Sequence, residues 1–221
     1  MTFYRFIQGV VRTLFPLAGT VEVTGLENIP REGPFFLVAN HQSYLDPMLI
    51  QTVVPREVYT MAKSTQFSDP LTGRMLRRLK SFPVRRFETD PQAVRIALRR
   101  LHEGYGVGIY IEGERSWDGR LQPPRLGALR LILKGGAPVV PCGIAGTYHV
   151  WPRWDHAFRR GRVRIAFGPP LDFGRVERRE DREAALPAVG ERIMDTLTHL
   201  SGAPRADGRQ RPAGADHFPH S

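Results

Sequence analysis

The strongest constraint on the fold of this 221-residue chain is an alternation of short apolar runs with longer segments of helical period. Residues 35–39, 107–111, 139–145 and 163–167 are nearly unbroken apolar stretches, too short for helices, and read as buried strands. Residues 20–24, 58–62 and 81–84 read as further strands. Residues 47–53, 70–79, 91–102 and 126–133 read as helices, and 175–200 contains a last long one. In residues 91–102 the helical face is carried by Ala93, Ile96, Ala97 and Leu101. This rhythm predicts an α/β fold with a central mixed sheet flanked by helices.

The two ends break the pattern. Phe3, Phe6, Ile7, Val10, Val11, Leu14 and Phe15 share one helical face, and Pro16 ends the run, so residues 1–18 read as an amphipathic helix. Arg12 interrupts its apolar stretch, which fits neither a signal peptide nor a membrane span. Two uses of that face stay open: packing on its own domain, or lying in the plane of a membrane. From Gly202 onward no periodicity survives, and residues 202–221 read as a disordered tail. One domain, residues 19–201, lies between. Its single cysteine, Cys142, excludes an internal disulfide and any zinc site built on paired cysteines.

Charge narrows the partners. The formal net charge is +10, and Lys63, Lys80 and Lys134 are the only lysines among 32 basic residues. The excess is concentrated in residues 63–100, with ten basic against three acidic groups, and in 153–182, with nine against five. Arginine-rich patches attract nucleic acid, anionic lipid or phosphorylated small molecules. A nucleic-acid module would interleave aromatics with arginines along a sheet or groove. Here the aromatics fall in the first helix, in apolar strand runs and around Trp151 and Trp154, which argues against nucleic acid.

Candidate chemistry sits just after the apolar strands, where ligand sites of α/β sheets lie. Asn40-His41-Gln42-Ser43-Tyr44-Leu45-Asp46-Pro47 follows residues 35–39. On a continuous helix His41 and Asp46 would lie about 140° apart. With Pro47 at the first helical position, Asp46 becomes a cap, and a turn folds it back toward the imidazole. A histidine oriented by a carboxylate is a general base. The bland reading makes Asp46 a cap only. Glu112-Gly113-Glu114-Arg115-Ser116 follows residues 107–111, and Arg85-Arg86 follows 81–84. No Gly-x-Ser-x-Gly elbow occurs. Metal catalysis finds little support: His149 and His156 are seven apart without a carboxylate at ligand spacing.

These blocks together resemble the glycerolipid acyltransferases typified by 1-acyl-sn-glycerol-3-phosphate acyltransferase. The matching elements are Asn40-His41-x4-Asp46, Met61-Ala62-Lys63, Phe82-Pro83-Val84-Arg85-Arg86, Glu112-Gly113-Glu114-Arg115-Ser116 and Val139-Val140-Pro141, in order across residues 20–170. The resemblance implies that His41 is the general base and that Asp46 orients it. It implies that Lys63, Arg86, Glu112, Gly113, Arg115, Ser116 and Pro141 shape the acceptor site and hold its phosphate. The donor would be an acyl thioester on coenzyme A or acyl carrier protein, with no cofactor, no metal and no covalent enzyme intermediate. The acceptor would be a lysolipid, and the expected setting is an anionic membrane surface at the cytoplasmic face of the cell membrane, peripherally attached.

The chain departs from the family pattern at Ile111, usually proline, at Ser81, usually glycine, and at Glu114, usually threonine. Glu114 would repel an acceptor phosphate unless Arg115, Arg86 or Lys63 pairs with it. Another lysolipid, an amino-acid lipid, or an inactive lipid-binding protein are the alternatives on this fold.

Overall fold

The computed structural model describes residues 19–208 apart from Phe87 and His156. The expected amphipathic helix therefore lies outside the described residues. Seven strands form one sheet: β1 (Gly19–Thr24), β2 (Phe35–Ala39), β3 (Val58–Lys63), β4 (Ser81–Val84), β5 (Gly106–Tyr110), β6 (Val139–Ala145) and β7 (Gly161–Phe167). Their spatial order is β1-β7-β6-β2-β5-β3-β4. The five strands from β6 to β4 are mutually parallel. β7 runs antiparallel to β6, and β1 runs parallel to β7, so the sheet is mixed as expected.

The central strands are apolar at every position because helices cover both faces. All five residues of β2 are buried. Phe36 and Val38 point into a core shared with α3 (Pro91–His102), α4 (Leu126–Gly135) and α6 (Arg179–Ser201). Phe35, Leu37 and Ala39 point the other way, onto Leu45, Leu49 and Ile50 at α1 (Asp46–Val53). The last two helices are α2 (Pro70–Arg78) and the single turn α5 (Thr147–Val150). Local chemistry sets the helix starts. Asp69 caps α2 by accepting from the Thr72 amide at 2.6 Å, and Asp90 caps α3 by accepting from Gln92 and Ala93. Each is followed by a proline at the first helical position.

Most boundaries agree with the sequence reading to within one or two residues. β5 begins one residue early and ends at Tyr110, which leaves Ile111 to open the following turn, its amide still bonded to the Ala39 carbonyl at 3.0 Å. α6 begins at Arg179, inside the 175–200 segment expected to contain it, and just before it the Val176 amide donates to the Leu133 carbonyl at 2.9 Å. The segment after α6, expected to be disordered from residue 202, is bonded to the domain as far as Ala206. Leu121 exchanges backbone bonds with Pro204 and Ala206 at 2.9 Å each, and Arg205 reaches Glu191 and Asp195 at 2.7 Å each.

Because β2 to β6 run the same way, the segments that follow β2, β3, β4, β5 and β6 all emerge at one edge of the sheet. His41, Arg86 and Glu112 are each within two or three residues of a strand end there.

Candidate active site

His41 and Asp46 meet. Imidazole Nδ1 lies 2.7 Å from Asp46 Oδ2, although the two residues are five apart in sequence. The same oxygen accepts from the backbone amides of Gln42 at 2.6 Å and Ser43 at 2.7 Å. Asp46 is the first residue of α1, one position further in than the cap expected from sequence, and Leu45 is the capping residue. Its carboxylate reaches back over the turn and closes it. A carboxylate only accepts, so Nδ1 carries the proton and Nε2 is left as the basic nitrogen.

Several groups hold that ring. Tyr110 stacks on it, with ring centroids 4.0 Å apart and an interplanar angle of 21°. The His41 amide donates to Glu112 Oε1 at 2.7 Å, and the His41 carbonyl accepts from the Ser116 amide at 2.7 Å. One residue earlier, Asn40 exchanges two hydrogen bonds with the backbone of Ile144, at 2.9 and 2.7 Å, tying the end of β2 to β6. Burial lowers the His41 pKa below its ordinary value; Asp46 opposes this, and the Arg86 and Arg115 charges add to it. The imidazole is therefore neutral near pH 7, the form a base needs.

Next to the ring lies a cluster of arginines around one carboxylate. Glu114 pairs with Arg125 at 3.1 Å and Arg153 at 3.3 Å, neither of which sequence reasoning put forward. That leaves Arg86 and Arg115. The Arg115 guanidinium lies over the Tyr44 ring, 3.4 Å from its centroid, and its buried Nη1 has no hydrogen-bond partner among the described residues. Arg86 forms no hydrogen bond or ion pair with the described residues. Burial lowers its pKa to about 10, helped by the Arg115, Arg153 and Arg125 charges and opposed by Glu114. A half-buried cation without a counter-ion of its own is costly, and guanidinium groups have the fork geometry that pairs with phosphate or carboxylate oxygens.

The other expected site residues divide. Gly113 has φ 75°, and an added Cβ would come within 2.8 Å of Arg125 Cγ, so glycine makes room for an arginine stem rather than directly for a ligand. Glu112 is 1% exposed, and its two oxygens accept from the amides of His41 and Gln122, at 2.7 and 2.8 Å. It fastens two loops together. The Ser116 hydroxyl is spent on its own turn, donating to the Arg120 carbonyl at 2.8 Å. Lys63 ends β3 in register with Val84, and its ammonium makes no hydrogen bond or ion pair with the described residues. Pro141 does not reach the site. It pairs with Val38, which points into the α3–α4–α6 core, and its ring packs near Gly168 and Leu200 on the face of the sheet away from α1. Ser43 is no nucleophile candidate, since its hydroxyl donates to the Trp151 carbonyl at 2.6 Å. Burial pushes the Cys142 thiol pKa well up, which keeps it protonated.

A cleft of about 780 Å3 adjoins this edge. It meets the His41 surroundings at Arg86, Tyr110 and Gly113, and its floor includes Met61, Val84, Ile109 and Leu131. Arg130 and Glu183 span its rim through two bonds, at 2.7 and 2.8 Å. Among the described residues no helix is long and apolar enough to cross a membrane.

Known proteins resemble this chain in sequence and in fold. A 1-acyl-sn-glycerol-3-phosphate acyltransferase of Bacillus subtilis is 27% identical over 201 residues, covering 89% of this chain and 98% of the relative. The chloroplastic enzyme BAT2 of that name from Brassica napus is 32% identical over 165 residues, covering 72% of this chain and 47% of the longer plant protein. The crystal structure of the 1-acyl-sn-glycerophosphate acyltransferase PlsC from Thermotoga maritima superposes with a TM-score of 0.70 at 29% identity, covering 88% of this chain and 79% of that one. The family model described as Acyltransferase matches residues 20–145, from β1 through the last residue of β6 and thus across both the His41 and Glu112 loops; this chain is a member of that acyltransferase family.

Proposed function

We propose that the protein moves a fatty acyl chain from an acyl thioester, on coenzyme A or an acyl carrier protein, to the free hydroxyl of 1-acyl-glycerol-3-phosphate, giving phosphatidic acid. The observation that carries this reading is the His41–Asp46 pair, a neutral imidazole held by a carboxylate, set beside Arg86 and Arg115, two cations without a carboxylate of their own. The acceptor phosphate sits on the arginines and holds its hydroxyl at His41. Nε2 takes the hydroxyl proton as the oxygen attacks the thioester carbonyl. The tetrahedral intermediate collapses, the C–S bond breaks, and the proton passes from the imidazolium to the departing sulfur. Asp46 stabilises the imidazolium and fixes its tautomer. No group on the enzyme is acylated. The apolar floor of the cleft offers a place for an acyl chain. The names of the relatives support the acceptor, and the reaction is placed peripherally at the cytoplasmic face of a membrane, where both donors are found.

The test is thiol release from a long-chain acyl-coenzyme A and from an acyl carrier protein. The acceptors are 1-acyl-glycerol-3-phosphate and a panel of other lysolipids. Activity on the phosphate acceptor that falls by roughly 10²–10⁴-fold in His41→Ala is expected. Activity confined to another lysolipid would keep the mechanism and move the acceptor, with Glu114 the residue to change next. Folded wild type that releases no thiol with either donor would overturn the enzyme reading for these substrates.

A further inference from the structure

The large apolar side chains left exposed on this protein are not scattered. Among the described residues they are Leu26, Met48, Leu71, Met75, Leu126, Trp154 and Phe158. All but Leu26 lie on segments that leave the carboxyl ends of β2, β3, β5 and β6, the edge that carries His41. Leu26 follows β1, which runs the opposite way.

α2 is the centre of this surface. Leu71 is 73% exposed and Met75 46%, and the two are one helical turn apart on the same stripe. Gly73 is the only buried residue of the helix. A helix that buries so little of itself yet turns leucine and methionine outward is built to be covered. α2 contains no acidic residue and carries Arg74, Arg77 and Arg78. Arg74 and Arg77 form no ion pair among the described residues, and the Arg77 guanidinium lies over the Phe67 ring at 5.4 Å. These arginines, with Phe67, Ser68 and Pro70, line an open groove of about 560 Å3.

We propose that α2 is a lipid-surface wedge: Leu71 and Met75 enter the acyl boundary of an anionic bilayer while Arg74, Arg77 and Arg78 take headgroup phosphates in the adjoining groove. Charge complementarity selects the occupant, because exposed apolar residues flanked by arginines match a layer that is apolar below and negative above. The described chain also begins at this edge, since β1 starts where β2 ends. Trp154 and Phe158 give the surface exposed aromatics, which favour the membrane–water interface. The inference deepens the lipid-acyl-transfer reading and rests on it for its purpose, though its test needs no turnover.

That test is sedimentation of the full chain with sucrose-loaded vesicles of phosphatidylglycerol and phosphatidylcholine, and with phosphatidylcholine alone. The expected results are binding to the anionic vesicles only, and at least roughly 30-fold weaker partitioning for Leu71→Ser/Met75→Ser, with an unchanged melting temperature. Arg74→Gln/Arg77→Gln loses the preference for phosphatidylglycerol. Thiol release with a short-chain acceptor dissolved as monomers stays at the wild-type rate in both variants. A second reading uses Leu71→Cys carrying an environment-sensitive fluorophore, attached selectively because Cys142 is buried. Its emission shifts to the blue on addition of anionic vesicles. Unchanged vesicle binding in Leu71→Ser/Met75→Ser overturns the proposal. So does a label already shielded without vesicles, which would assign the face to the chain's own first residues. So does a label that answers an acidic carrier protein and not vesicles. Vesicle binding through α2 without any thiol release would leave this inference standing and remove the acyltransfer reading instead.

Discussion

At the scale of single residues, the site is a problem of proton placement. His41 is buried against Tyr110 and faces two arginines, and all of these oppose a second proton on the ring. A protonated His41 cannot act as a base, so activity is lost as pH falls through its pKa. Because that pKa lies below 6.5, the acid limb of kcat/KM lies below 6.5 as well. Arg86 contributes to the depression, so Arg86→Gln moves the limb to higher pH while raising the KM of the phosphate acceptor. A pH–rate profile of both proteins checks this, and a limb that stays in place would separate Arg86 from the imidazole. Glu112 gives a different expectation. Its carboxylate serves the His41 and Gln122 amides, so Glu112→Gln turns one acceptor into a donor facing an N–H. A buried amide without a partner costs about 1–3 kcal/mol. The variant melts lower and loses kcat, while the acceptor KM holds. A selective rise in KM at unchanged stability would mean that Glu112 touches the acceptor instead.

At the scale of elements, strand ends and helix starts were legible because they depend on local chemistry. Apolar runs bounded by turns located β2, β5 and β6, and the helical face of Ala93, Ile96, Ala97 and Leu101 located α3. The His41–Asp46 meeting was legible for the same reason, as a five-residue turn closed by a helix start. What depends on chain segments brought together from far apart was not. Arg153 reaches Glu114 from 39 positions away, and nothing near either residue announces it. Arg125 lies just before α4, but its pairing depends on how the Glu112 loop closes. Pro141 was misplaced because the sequence places it on β6 but not on a face. Its register with Val38 sends it to the α6 side. The Asp90 cap shows how element and site are joined. Besides two amides of α3 it accepts from the Arg85 amide at 2.9 Å, so it also fixes the strand end that presents Arg86. Asp90→Ala is expected to cost about 1–2 kcal/mol and to lower the melting temperature by a few degrees. It should also raise the acceptor KM. Thermal melts and steady-state kinetics on one preparation test the coupling, which fails if stability falls and KM does not move.

At the scale of the whole molecule, the site is held by segments far from it along the chain. Asn40 positions the start of the His41 turn by clasping Ile144 of β6, and β6 in turn lies against the end of α6. Gly143 is the point of closest approach. A Cβ there would come 2.5 Å from Leu200 Cβ and 2.6 Å from the backbone nitrogen of Ser201. Neither the last turn of α6 nor a central strand yields easily, because Ile193 and Leu197 of the same helix are wholly buried in the core. Gly143→Ala must therefore part α6 from the sheet or shift β6 along with its hold on Asn40. Overpacking of this kind costs roughly 1–3 kcal/mol, and here the strain falls on the residue that carries the Asn40 clasp one position on. The expected result is a lower melting temperature together with a fall in kcat, although Gly143 touches no substrate. Gly127→Ala is the contrast: it lies in α4 with nothing within 4 Å of the added Cβ, and should gain about 0.5–1 kcal/mol. Urea unfolding of both variants, read beside thiol release at a temperature where each is fully folded, separates the two effects. A Gly143→Ala protein that is destabilised yet fully active would show that the Asn40–Ile144 clasp follows the strand without strain. The His41 turn would then be set by Asp46, Glu112, Ser116 and Tyr110.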